Sequence, residues 1–311
     1  MYRGDQMKRI GHARARRNLE DIIIDIVVYA TLIFLILITL YPFLNTLAVS
    51  FNDALDSTKG GIYLWPRKFS IYNYQTLLTR NQIFHASFIS IMRTVLSTIL
   101  CTFSTAMVAY TISRKEYVLR RLISFIYVVT MYIDGGLIPT YFLTRAVGLT
   151  NSFWVYVLPG LVSAFNLIVI RTYIAGLPEG LIESARVDGA GEFTVFFKIV
   201  LPLCKPVLAT IALFVAVTNW NSWFDTFLYN SSEPTLSTLQ YELMKVLQSA
   251  NSMTSSLEQA MAQAATGTIN TVTPRSIRAT MTIIVTIPIA IVYPFLQRYF
   301  VHGLTLGGVK E

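Results

Sequence analysis

Six long apolar segments follow one another along the chain, and polar or charged stretches separate them. Each segment has about the 20 residues that an α-helix needs to cross the hydrocarbon core of a bilayer. Their approximate bounds are 26–48, 86–112, 122–143, 153–174, 203–224 and 279–300. This pattern predicts an all-α membrane protein with six transmembrane helices.

The composition agrees with this pattern. Hydrophobic residues make up 54% of the 311 residues and charged residues 14%, whereas soluble domains have about 25% charged residues. The mean hydropathy is +0.54. The first apolar segment is longer than the apolar part of a signal peptide, which has about 7–15 residues, so we interpret it as a transmembrane helix.

Basic residues predict the orientation of the chain. Six Lys and Arg residues lie within 1–21, and Arg114, Lys115, Arg120 and Arg121 separate the second apolar segment from the third. Cytoplasmic loops of membrane proteins carry an excess of Lys and Arg. We therefore expect both termini in the cytoplasm, and we interpret the net charge of +8 as a topology signal and not as a nucleic-acid-binding surface.

The predicted organisation has four parts. They are a basic cytoplasmic N-terminus (1–21), a first transmembrane helix with an extracytoplasmic loop (22–85), a core of five transmembrane helices (86–300) and a cytoplasmic tail (301–311). The core contains a cytoplasmic hairpin (176–202) and a long extracytoplasmic loop (225–278). Two amphipathic helices are expected in that loop, at Ser237–Ala250 and Ser255–Ala265; they could pack on the transmembrane helices or dock a partner.

Residues typical of catalysis and metal binding do not form recognisable sets. The cysteines, Cys101 and Cys204, and the three histidines are scattered, and none belongs to a cluster with metal-ligand spacing. The sequence has no GxxxxGK[ST] phosphate-binding loop and no arrangement that indicates a membrane enzyme. We therefore expect no catalytic residue, no metal and no bound cofactor in this chain.

The second half of the third apolar segment is irregular. Asp134, Gly135, Gly136 and Pro139 lie within one or two helical turns of each other. Glycine and proline weaken a helix, and a carboxylate must avoid lipid. A structural kink and a gate or passage lining are both compatible with this pattern.

The stretch 183–202, between the fourth and fifth apolar segments, predicts a helical hairpin beneath the membrane. Pro178 suits the first turn of a helix over about 178–188, Glu179 and Glu183 favour its positive end, and Gly189 can end it in a left-handed conformation. A second helix begins near Glu192. The apolar and charged side chains of the hairpin together form a surface suited to a groove in another protein.

The hairpin carries a family resemblance. Its residues Glu183, Ser184, Ala185, Asp188, Gly189, Ile199, Leu201 and Pro202 resemble the EAA loop of permease subunits from bacterial binding-protein-dependent ABC importers. The stretches "NLIVIRTYIAGLPEGL", "WNSWFD" and "YPFLQRYFVHGLTLGGVKE" resemble the smaller permease subunit of maltose-type carbohydrate importers. The chain departs from the motif in having Ser184 where the family has alanine, another small residue.

This resemblance implies a type I ABC importer permease fold with six transmembrane helices and a cytoplasmic coupling hairpin. It implies a multi-pass protein of the bacterial cytoplasmic membrane that transports a sugar or oligosaccharide. The expected partners are a second permease subunit, two ATP-binding subunits that hold ATP and Mg, and an extracytoplasmic solute-binding protein. Glu183 would pair with a basic residue of an ATP-binding subunit, and Gly189 would permit the bend.

Polar and aromatic residues inside or beside the apolar segments are candidates for the substrate pathway. They are Asn219, Trp220, Asn221, Trp223 and Asp225 near the fifth segment, Asn166 in the fourth, Arg93 in the second and Asp134 in the third. Aromatic rings and amides suit sugars, and intramembrane polar groups often line a passage or join helices. The two tryptophans could equally belong to an aromatic belt at the membrane surface.

A different class of function is a secondary transporter or channel that works without ATPase partners. It would require gradient-dependent flux through this chain alone. Few acidic residues lie within the apolar segments to carry a coupling ion; Asp134 is the best placed and Asp25 lies at an edge. The sequence therefore favours the ATP-driven importer.

Overall fold

The computed structural model describes residues 19–79, 81–252 and 272–305. Throughout these ranges the regular elements are helices, and one isolated antiparallel bridge joins Asn52 to Phe69. The helices are α1 (Leu19–Ser50), α2 (Ala54–Thr58), α3 (Tyr72–Leu78), α4 (Asn81–Ser113), α5 (Arg120–Thr130), α6 (Leu137–Ala146), α7 (Ala164–Ala175), α8 (Glu179–Val187), α9 (Glu192–Val195), α10 (Leu201–Leu203), α11 (Lys205–Asn221), α12 (Phe224–Tyr229), α13 (Leu239–Ser252) and α14 (Pro274–Thr305). Three short 3-10 turns lie at Phe153–Tyr156, Leu158–Gly160 and Pro234–Leu236.

Several of these helices can cross a bilayer. In the described part of the chain, the segments Ile22–Ser50, Gln82–Ser113 and Pro274–Pro294 are each long and apolar enough. Two bent pairs also qualify: Phe153–Gly160 with Ala164–Ala175, which meet at 47°, and Glu192–Leu203 with Lys205–Asn221, which meet at 79°. If each bent pair is one span, the total is five, and these five overlap predicted segments, although Glu192–Leu203 of the second pair falls almost entirely within the predicted hairpin. The all-α fold is thus confirmed.

The remaining predicted span, 122–143, is corrected by the structure. It is not one helix but two, α5 and α6, separated by the irregular residues 131–136. Gly136 has a φ of 82°, a left-handed conformation that glycine adopts without steric cost. Pro139 then lies in the first turn of α6, where its missing N–H is tolerated. The glycines and the proline were expected to weaken the helix at this point, and the helix is in fact interrupted completely.

The main core forms where α4 packs against α7 and α11. Leu167 and Ile170 of α7 and Ile211 of α11 are fully buried there. Ala106 and Ala109 provide a small-residue surface on α4, which lets neighbouring helices approach closely. This core continues without interruption into the predicted hairpin, through Ile182, Val195 and Val200.

A second core lies near the start of α4, at the end of that helix remote from the hairpin. The amphipathic helix predicted at Ser237–Ala250 is present as α13, and it packs on α14. Leu239 and Met281 are fully buried at this contact, beside Trp220 and Leu77. The second predicted amphipathic helix, Ser255–Ala265, lies outside the described residues, as do most of the predicted N-terminus (1–21) and part of the tail (301–311).

Candidate coupling hairpin and transport path

The predicted hairpin forms as local sequence chemistry indicates. Helix α8 carries Glu179 in its first turn and Arg186 in its last, an order that complements the helix dipole. Gly189 then turns the chain with a φ of 83°. The Gly189 and Ala190 amides donate to the Arg186 and Ala185 carbonyls, at 3.0 and 2.9 Å. These bonds satisfy the last carbonyls of α8 and fix the direction of α9.

A π-helical turn, Phe196–Val200, joins α9 to α10, so that Glu192–Leu203 forms one rod. The turn ends two residues before Pro202, which has no N–H to donate and therefore disrupts regular helical hydrogen bonding. Ile199 and Leu201 are half-buried, whereas Pro202 is exposed. Three of the predicted coupling residues thus lie where the rod turns irregular, just before the 79° bend into α11.

One side of the hairpin belongs to the main core. Ile182 of α8 is 3% exposed and packs with Val195, Phe196 and Val200 of the second limb. Ile112, at the C-terminal end of α4, is buried in the same cluster. Burial of a large aliphatic side chain stabilises by about 1.5–3 kcal/mol. The hairpin is therefore firmly packed against α4 and α11.

The other side of the hairpin is open. Leu181, Val187 and Phe193 are exposed large apolar residues, and Val187 is 87% exposed. Glu183, Ser184 and Asp188 are also exposed, and Ala185 is half-buried. Within the part of the chain that the structure describes, Glu183 forms no ion pair. The hairpin thus exposes the Glu183 carboxylate, which has no ion pair among the described residues, together with large apolar side chains.

Ion pairs brace the hairpin on its flank. Arg186 contacts the Glu116 and Glu192 carboxylates, each at 2.8 Å, and the Lys115 ammonium lies 2.6 Å from Glu179. The hydrogen bond from Arg186 lowers the pKa of the Glu116 carboxyl, and the same bond raises the pKa of Arg186. These pairs link the hairpin to the connection between α4 and α5. Glu116 and the bracing role of Arg186 were not predicted, although the charge density of both segments is visible in the sequence.

Two predicted pathway residues, Arg93 and Asp225, form an ion pair with each other. The Arg93 guanidinium donates two hydrogen bonds to the Asp225 carboxylate and one to the Ser222 carbonyl, at 3.2 Å. It also stacks over the Tyr156 ring, with Cζ 4.6 Å from the ring centre. Arg93 is 2% exposed. The pair joins α4 to the start of α12, where α11 has just ended.

The remaining residues near the end of α11 occupy different surroundings. Trp220 is buried in the second core and donates through Nε1 to the Val285 carbonyl at 3.2 Å, so it packs α11 on α14. Trp223 is half-buried against the rings of Phe224 and Phe227. Asn219 donates to the carbonyl four residues earlier, at 2.9 Å, and Asn221 is exposed and accepts from Gln240. A role of these residues in sugar binding stays a prediction.

Asn166 and Asp134 lie apart from that group. Asn166 is buried in α7, on the side that faces the main core. Asp134 is exposed, and its carboxylate accepts from the Gly136 amide at 3.1 Å within the break between α5 and α6. This hydrogen bond gives the Asp134 carboxylate a structural role in the turn. A role of Asp134 in lining a substrate passage stays a prediction.

Comparison with known proteins now identifies the family. Residues 91–306 match the model of the family described as binding-protein-dependent transport system inner membrane component. The chain belongs to this permease family. The match covers the hairpin and most of the core helices.

Two curated relatives are from Bacillus subtilis (strain 168). The polygalacturonan/rhamnogalacturonan transport system permease protein YtcP is 32% identical over 292 residues, which cover 94% of this chain and 100% of the relative. Protein LplC is 34% identical over 274 residues, or 88% of this chain and 90% of the relative. Among solved structures, a bacterial ABC transporter involved in import of the acidic polysaccharide alginate has a chain with a TM-score of 0.81 and 27% identity, covering 91% of this chain and 98% of that chain.

The permease also contains a groove that the sequence did not predict. It lies between α4 and the α10–α11 region, has a volume of about 330 Å³, and is lined mainly by apolar side chains together with Thr98 and Thr102. The buried hydroxyls of Thr94, Thr98 and Thr102 have no hydrogen-bond partner in the described structure. Their spacing of four residues was a visible signal, because it places them on one face of a helix.

Proposed function

We propose that this permease is one of two membrane subunits of an ATP-driven importer and that its hairpin docks in a cleft of an ATP-binding subunit. The second permease subunit, two ATP-binding subunits with their ATP and Mg, and an extracytoplasmic solute-binding protein complete the proposed assembly. The chain itself supplies no catalytic residue. In this arrangement the hairpin and both termini face the cytoplasm.

The observation that carries this proposal is the open side of the hairpin. A carboxylate without an ion pair among the described residues lies beside exposed Leu181, Val187 and Phe193. A partner cleft would cover the apolar side chains and supply a basic residue to Glu183. Lipid headgroups are a poorer match, because the exposed carboxylates of Glu183 and Asp188 would be repelled by an anionic surface.

The packing of the hairpin suggests how movement reaches the membrane. Its buried side is continuous with α4 and α11, and the bend of 79° lies at the entry to α11. When the ATP-binding subunits close, the docked hairpin would move as a rigid lever, and α11 would turn about this bend. Such a rigid-body shift can alternate the pathway between its two open states.

For the cargo we propose an acidic oligosaccharide. The relative YtcP is named for polygalacturonan and rhamnogalacturonan transport, and the structurally similar importer carries alginate. Both names describe polymers that contain uronic acids. The solute-binding protein would deliver such an oligosaccharide to the extracytoplasmic side of the permease pair.

The decisive experiment substitutes Glu183→Ala in the assembled complex in proteoliposomes. We expect uptake and substrate-stimulated ATP hydrolysis to fall together, because loss of one member of a buried interfacial charge pair can cost about 2–5 kcal/mol. Glu20→Ala, at an exposed carboxylate near the start of α1, is the matched control. Unchanged uptake in Glu183→Ala would contradict the docking proposal.

A separate assay tests the cargo. Radiolabelled galacturonide oligosaccharides should be taken up, and an excess of neutral arabino-oligosaccharides should not compete. If only the neutral sugar enters, the acidic cargo is excluded while the coupling mechanism stands.

A further inference from the structure

The extracytoplasmic loop after α1 presents a cluster of large apolar side chains, which we call the 63–65 tip: Tyr63, Leu64 and Trp65. All three are exposed, and Trp65 is 83% exposed. The mechanism described above does not use them. Two features bear on their surroundings: the position of the tip along α1 and the contacts that hold the loop rigid.

The depth of the tip is set by α1. The Asn45 side-chain amide donates to the Ile62 and Tyr63 carbonyls, at 2.7 and 3.0 Å. Asn45 lies five residues before Ser50, the end of α1, which is about 7.5 Å along the helix axis. The chain therefore leaves α1, turns and returns to the level of its outer turns.

That level is the outer surface of the bilayer. The apolar segment Ile22–Ser50 has 29 residues and is about 43 Å long. A bilayer with its headgroups is about 40–45 Å thick. The last turns of α1, including Asn45, thus lie among the outer headgroups, and the tip lies beside them.

The loop holds the tip rigidly. Gly60 and Gly61 both have left-handed φ values, 73° and 68°, which reverse the chain towards α1. The Ile62 side chain is buried in a small cluster with Ala48 and Val49 of α1 and Ala279 of α14. The backbone on both sides of the tip is therefore fixed against two membrane-spanning helices.

An ion pair completes this support. Arg67 contacts the buried Asp56 carboxylate at 3.0 Å and donates to the Gly60 carbonyl at 2.8 Å. Asn52 donates to the same carboxylate at 3.1 Å and accepts from the Lys68 amide at 2.8 Å. The Asp56 charge is thus turned inward, whereas Lys59 and Lys68 remain exposed.

From this geometry we propose that the 63–65 tip is a membrane anchor that inserts Trp65 and Tyr63 into the headgroup region of the outer leaflet. Tryptophan and tyrosine rings favour that region because they combine an apolar body with a polar group. The exposed lysines beside them match phosphate-bearing headgroups. The exposed apolar surface of α1 continues the tip towards the hydrocarbon core. The anchor is independent of the cargo and of the ATP-binding subunits.

The test places a nitroxide at the tip through Trp65→Cys in the assembled complex in lipid nanodiscs. Cys101 and Cys204 are both buried, so the parent chain measures the labelling background. The label should collide more often with oxygen, which concentrates in lipid, than with a water-soluble nickel complex. The matched control is Thr58→Cys, an exposed site on α2 of the same loop, where the nickel complex should dominate.

Two results would overturn the anchor. A label at residue 65 that prefers the nickel complex would place the tip in water, and a label shielded from both reagents would place it under another protein subunit. Fluorescence of the unlabelled chain provides a second measurement. Brominated lipids should quench the parent more than they quench Trp65→Phe; equal quenching would contradict the proposal.

Discussion

The protein uses arginine in two opposite ways in two separate regions of the fold. Where α4 meets α12, Arg93 is 2% exposed and holds a single carboxylate, that of Asp225. At the hairpin, Arg186 remains partly exposed and bridges two carboxylates from different segments. Water largely solvates the second arrangement, whereas in the first the Arg93 guanidinium is buried among protein groups and only the Asp225 side chain is partly exposed. Removing a partner should therefore have very different consequences at the two sites.

The largest effect is expected at the buried pair. Asp225→Ala leaves the Arg93 guanidinium buried without its carboxylate, which should cost about 3–5 kcal/mol of stability. Thermal unfolding of the complex in nanodiscs measures this loss. The double variant Arg93→Leu with Asp225→Leu removes both charges and should regain much of it. If the single and double variants are equally destabilised, the unpaired charge of Arg93 is not the cause of the lost stability.

The next effect tests the buried side of the hairpin. Ile182→Ala removes aliphatic packing in the main core and should destabilise by about 2–5 kcal/mol. Hydrogen exchange of residues 179–203 should rise, because the hairpin loses its attachment to α4 and α11. Leu181→Ala, at the exposed neighbour, is the control for local packing. It should leave exchange unchanged while weakening association with the ATP-binding subunit.

A smaller effect is expected at the turn of the hairpin. Gly189→Ala forces a side chain into a left-handed conformation, which costs about 1–2 kcal/mol. The new Cβ would meet no atom within 4 Å, so the cost comes from the backbone alone. Gly180→Ala, inside α8 and equally uncrowded, should be neutral or stabilising. If the two variants have the same melting temperature, the left-handed conformation of Gly189 does not affect the stability of the protein.

The smallest effect is expected at the exposed arginine. Arg186→Gln should change stability by at most about 1 kcal/mol, because solvent screens the ion pairs. Since the Glu116 pKa is lowered in the folded state, its contribution is present above the unfolded pKa and is lost as the pH falls through the folded pKa. Unfolding scans of parent and variant should therefore converge at acidic pH. A difference that grows as the pH falls would contradict this assignment.

Some features of this protein follow from local sequence alone. Apolar segments of bilayer length predicted the helical fold and five positions that qualify as spans. Gly189, the acidic first turn of α8 and the prolines near α11 predicted the hairpin, because capping and backbone preference act between residues that are close in the chain. Because those interactions need no distant partner, the hairpin helices begin and end within about one residue of their predicted bounds.

Other features depend on contacts between distant segments, and only the tertiary structure decided them. Arg93 and Asp225 are separated by 132 positions, and apolar periodicity does not specify which polar groups will meet. Trp220 suited both a sugar and the membrane surface in the sequence, yet the packing of α11 on α14 buries it. The sequence by itself determined which segments can enter the membrane, since transfer free energy depends on local composition. The tertiary structure determined which charges pair and which surfaces stay open, since both depend on how the helices pack.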